Sequence, residues 1–124
     1  MDQRQESSVI QAIVQKNFED ETTIAGPKLV HQLIEQRDSP AKPVRLPGGH
    51  DFELGKTIEV IIAAIQLTKS LLDAYVALRK AKGRTPTPEE VVERQTAQAK
   101  AVGIAEVEAK KEQLAQSVVA SVAA

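Results

Sequence analysis

The chain has 124 residues, 42% of them hydrophobic and 27% charged, and its 16 Lys and Arg against 17 Asp and Glu leave a net charge of −1. That length and balance suit a small globular chain; they exclude a charge-rich disordered one and a nucleic-acid binder with a basic surplus. No cysteine is present and the aromatics are Phe18, Phe52 and Tyr75, so thiolate chemistry, disulfides and base-stacking platforms are excluded too.

The first eight residues, Met-Asp-Gln-Arg-Gln-Glu-Ser-Ser, are polar and of mixed charge, without the apolar stretch of a secretory signal. The expectation is a cytoplasmic protein with a flexible start over residues 1–6. From Ser7 onward Val9, Ile10, Ile13, Val14 and Phe18 fall at helical spacing, with Ser7 or Ser8 as the cap. Asn17 and the run Glu19-Asp20-Glu21 read as the close of that helix. Pro27 suits the first position of a second helix, because its missing N–H would have no partner there. That helix carries Val30, Leu33, Ile34 and Arg37 and stops before Asp38-Ser39-Pro40. Residues 38–53 hold Pro40, Pro43, Pro47, Gly48 and Gly49 and read as a loop, with Val44-Arg45-Leu46 as a short extended piece.

A third helix is predicted over residues 54–82. Arg79, Lys80 and Lys82 complement the negative end of its dipole and Gly83 caps it. Between residues 58 and 78 it is apolar around most of its circumference and about long enough to cross a bilayer. Glu59, Gln66, Ser70 and Asp73 interrupt it as one narrow polar stripe, and Lys69 can pair with Asp73 one turn away. Thr87-Pro88-Glu89-Glu90 is a capping box for a fourth helix, predicted to continue over residues 88–122 despite Gly103. This helix is rich in Ala and Val, with a thin apolar seam. The fold class expected is therefore all-α: a single bundle of about four helices over residues 7–124.

Chemistry-bearing patterns are sparse. Residues 48–57 end in Gly55-Lys56-Thr57, but a phosphate loop needs Gly at position 50, which is His50, and Asp51 and Glu53 would repel phosphate. His50, Asp51 and Glu53 offer metal-type side chains, yet the only other histidine, His31, sits on the second helix. No serine lies in a Gly-x-Ser-x-Gly turn. The expectation is no enzyme, no cofactor, no metal site, no nucleic acid and no small-molecule substrate. Arg79, Lys80, Lys82 and Arg84 read as a solvated helix end, or alternatively as contacts to anionic lipid head groups.

The apolar third helix has thin cover, so the sequence points to a second molecule that completes it. The candidate contact residues are Ile61, Ile65, Leu72, Tyr75 and Val76, with Ile104, Val107, Leu114 and Val118 of the fourth-helix seam. Residues 75–91 resemble a helix–turn–helix junction found in small phage-borne and bacterial accessory proteins and in helical adaptor domains of bacterial effector systems. The reading is a non-catalytic assembly or adaptor module working by protein contact or self-association. The alternative is a membrane-associated protein whose lipid-facing element is residues 58–78.

Overall fold

The computed structural model of the chain describes residues 2–37 and 52–123. Among them every element is a helix, and there are seven rather than about four: α1 (Gln3–Asn17), α2 (Glu19–Ala25), α3 (Pro27–Glu35), α4 (Phe52–Lys82), α5 (Pro88–Gln98), α6 (Ala105–Glu108) and α7 (Lys111–Ala123). They fall into two compact units, Met1–Ile65 and Gln66–Ala124. The predicted loop, including Val44-Arg45-Leu46, lies largely outside the described residues.

In the first unit, α1 begins earlier than the apolar spacing implied. The Asp2 carboxylate accepts from the Gln5 backbone N–H at 2.8 Å, and the Gln5 side chain accepts from the Asp2 N–H at 3.3 Å. This capping box turns residues 3–6 into helix where a flexible tail was expected. The helix buries Ile10, Ile13 and Val14 and stops at Phe18, whose backbone (φ −133°, ψ 52°) leaves the helical region. The acidic run then opens α2 instead of closing α1, since carboxylates suit the positive end of a helix dipole. Thr22 Oγ1 donates to the Phe18 carbonyl at 2.9 Å and ties the turn together. Gly26, at φ +87°, ends α2 in a conformation that L side chains rarely adopt, and Pro27 starts α3 as predicted. Helix α3 buries Leu29, Val30, Leu33 and Ile34, and α1, α2 and α3 all touch one another. Ile58, Val60, Ile61, Ala64 and Ile65 of α4 are buried as well.

In the second unit, α4 ends at its predicted basic turn. Gly83 follows at φ +67°, its N–H donating to the Arg79 carbonyl at 2.9 Å. Helix α5 opens at the predicted box, with Thr87 Oγ1 accepting from the Glu90 N–H at 3.2 Å and the Glu90 carboxylate accepting from the Thr87 N–H at 3.0 Å. The long C-terminal helix does not continue. Ala99 (φ −132°, ψ 151°) and Ile104 (φ −117°, ψ 113°) are extended, and Gly103 sits at φ +79°. After this connector come α6 and α7, and α7 packs against α5. The core here is Leu67, Leu71, Leu72, Tyr75, Val91, Val107, Leu114 and Val118.

Candidate functional site

The residues expected to meet a second molecule are mostly enclosed by the chain itself. Ile61, Ile65, Leu72 and Tyr75 are at most 2% exposed, and only Val76, at 37%, reaches the surface. Val107, Leu114 and Val118 are fully buried and Ile104 is half-buried. Of the candidate contact residues on α4, Val76 alone is thus open to solvent. The sequence reading left out α2, and the break after α5 brings α7 back onto α5. The polar stripe stands as read: Glu59, Gln66 and Asp73 are exposed and Ser70 is half-buried. Lys56, Val76 and Lys80 extend the same line at helical spacing.

An open concavity lies between α1 and α3. It has a volume of about 680 Å³. One wall is a face of α1, with Gln3, Arg4, Ser7, Ser8 and Gln11 spaced three and four apart; the other is His31 and Glu35 of α3. Every lining side chain is polar, so the cleft offers carboxamide, hydroxyl, guanidinium, imidazole and carboxylate groups. His31 Nε2 stands 3.9 Å from Glu35 Oε1, with both side chains more than half exposed.

Behind these walls, Arg37 couples the two helices. Its side chain is 1% exposed, Nε donates to Glu6 Oε1 at 2.9 Å, and Nη1 donates to Ser7 Oγ at 2.9 Å and to the Ile34 carbonyl at 2.7 Å. A buried guanidinium needs such partners for nearly all its donors. Arg37 was legible as a member of the apolar spacing of the second helix. Its role was not, because its partners lie thirty residues away in sequence.

Elsewhere the chemistry-bearing side chains serve the fold. Arg84 donates two bonds to Glu90 at 3.0 Å each, Lys82 pairs with the same carboxylate, and Glu90 also accepts from the Thr87 N–H. The Arg84 hydrogen bonds, then Lys82 and Thr87, hold the Glu90 carboxyl well below the usual carboxylate range, and the Arg84 guanidinium is raised in turn. Arg79 Nη1 donates to Thr85 Oγ1 at 2.9 Å. Of the glycine-lysine-threonine segment, Lys56 is exposed and Thr57 buried within α4, while His50 and Asp51 lie outside the described residues. Among the described residues no three His, Asp or Glu side chains converge as a metal site. No family model, curated protein or solved structure matches the chain.

Proposed function

We propose that the chain is a non-catalytic helical adaptor that associates through the α1–α3 cleft with a polar segment of protein, in the first instance another copy of itself. The observation that carries the reading is the cleft itself, at about 680 Å³ and walled by two helices that buried Arg37 links. Its volume falls in the range of about 300–1,000 Å³ typical of binding pockets, but its lining is too polar for an apolar ligand. Gln11 presents a carboxamide, which donates and accepts as a peptide group does. Arg4 and Glu35 add one charge of each sign, which favours a segment that carries both. A phage or bacterial accessory role and a cytoplasmic setting are compatible with this reading.

Light scattering on size-separated protein across a dilution series tests it. A discrete dimer or larger species that Ser8→Trp abolishes, by filling the cleft, is the expected outcome. A monomer at every concentration overturns the reading. Ile65→Asp is not a useful control, because a carboxylate at a position 2% exposed unfolds the chain before it dissociates anything.

The membrane reading has one observation in its favour: residues Gly55–Lys82 are long and apolar enough to span a bilayer. Against it, 61% of its most apolar 18-residue stretch is already buried in the fold, and the exposed line carries Glu59, Asp73 and Lys80. Sedimentation with anionic lipid vesicles is expected to leave the protein in solution, and its depletion would restore the lipid-facing role.

A further inference from the structure

The connector between α5 and α6 is a place where sequence and structure disagree for a physical reason. Residues 99–110 read Ala-Lys-Ala-Val-Gly-Ile-Ala-Glu-Val-Glu-Ala-Lys, a run in which only Gly103 opposes a helix strongly. The capped start at Thr87 should propagate through it to α7. Instead the chain leaves the helix at Ala99, runs extended, and re-enters at Ala105. The connector is not buried: Ala99, Lys100, Ala101 and Gly103 are exposed, and Val102 and Ile104 are only partly covered. The Val102 N–H donates to Glu108 Oε1 at 2.9 Å, and the Ile104 carbonyl accepts the first amides of α6. Gly103 supplies the single positive φ in the connector.

The closed form is kept by packing of α6 and α7 and by one glycine, against the local preference of residues 99–104. Helix α7 contributes Leu114, Ala115 and Val118 to the core, each fully buried, and Lys111 Nζ reaches across to Thr96 Oγ1 of α5 at 2.7 Å. If residues 99–110 become helical, α5, α6 and α7 join into one rod. The seat of α7 on α5 is then vacated, and the detached α7 carries an apolar face made for the same seat. A second copy in the same state offers the matching surface, which is how exchanged elements form dimers from contacts a monomer already makes.

We infer that the chain forms a dimer by exchanging α6–α7 with a second copy of itself, through conversion of residues 99–110 from a broken connector into continuous helix. This exchange uses none of the α1–α3 cleft and stands or falls separately from it. Gly103 is the control point. Alanine there improves the rod, because Gly is a poor helix former, and worsens the closed form, because φ +79° strains any side chain. No neighbouring atom lies within 4 Å of a Cβ placed at Gly103, so the effect is conformational and not a clash.

The experiment compares the full-length chain with Gly103→Ala, and with Gly103→Ala combined with Ala101→Gly, by light scattering and far-ultraviolet circular dichroism over a concentration series. Gly103→Ala is expected to lower the concentration at which dimer appears by about tenfold or more and to raise helicity. Ala101→Gly, which weakens the rod again at an exposed site, should return much of that shift. Ser8→Trp added to Gly103→Ala should leave the dimer intact, which separates exchange from cleft docking. A Gly103→Ala chain that stays monomeric with unchanged helicity overturns the inference. So does a dimer indifferent to Ala101→Gly, or one that Ser8→Trp dissolves.

Discussion

A guanidinium that is 1% exposed must place its N–H donors inside the protein, and Arg37 does so on Glu6, Ser7 and the Ile34 carbonyl. Removing it leaves the Glu6 carboxylate, itself 21% exposed, with its partner gone and a void beside α1. Arg37→Ala is expected to destabilise the fold by about 3 kcal/mol in urea titrations. Glu6→Gln keeps an acceptor in place and should cost clearly less. Tyr75 is the opposite case. Its ring is 1% exposed, and its hydroxyl has no hydrogen-bond partner among the described residues. Tyr75→Phe removes the unpaired group and keeps the volume, so stability should be unchanged or rise by up to about 1 kcal/mol by the same titration. A loss of more than that would show that the hydroxyl is bonded. Neither property was readable from sequence. Arg37 and Tyr75 both fall at apolar positions of helical patterns, and their polar ends are decided by neighbours distant along the chain.

At the level of elements, chain ends and stops follow local chemistry, and most of it was legible. Pro27, Gly83 and the Thr87 box mark the boundaries they were read to mark. The Asp2–Gln5 box has the same three-residue spacing and went unread because no apolar pattern follows it at once. Two glycines separate conformation from propensity. Gly26 sits at φ +87°, whereas Gly55 lies inside α4 with nothing within 4 Å of an added Cβ. Gly26→Ala should destabilise by about 1 kcal/mol, and Gly55→Ala should stabilise by about 0.5–1 kcal/mol, both measured by thermal melting. Glu90 links an element boundary to pH. Its carboxyl is held below the usual range in the fold, so the unfolded chain takes up that proton first. The contribution is present above the ordinary carboxylate pKa of about 4.3 and is lost as pH falls below it toward the folded value. Glu90→Gln should flatten the acid limb of a melting-temperature profile. High salt should shrink the difference, because the cluster is exposed.

For the whole molecule, the all-α class came directly from helical spacing and the lack of alternating strand patterns. The burial argument weighed an apolar α4 against three other helices, and the weighing changed once Phe18 split α1 from α2 and the connector bent α7 back onto α5. Such breaks depend on tertiary packing overriding local preference, which periodicity cannot register. The polar line on α4 survived because it follows from side-chain spacing alone.

Helix α4 also limits how the protein can be divided. The boundary between the two compact units falls between Ile65 and Gln66, in the middle of one unbroken backbone ladder. A gene fragment ending there would leave the carbonyls of a helical turn without amides, and a fragment beginning there would leave amides without carbonyls. Truncation or recombination at that point therefore cuts a helix in its middle and should lower the helicity of both fragments.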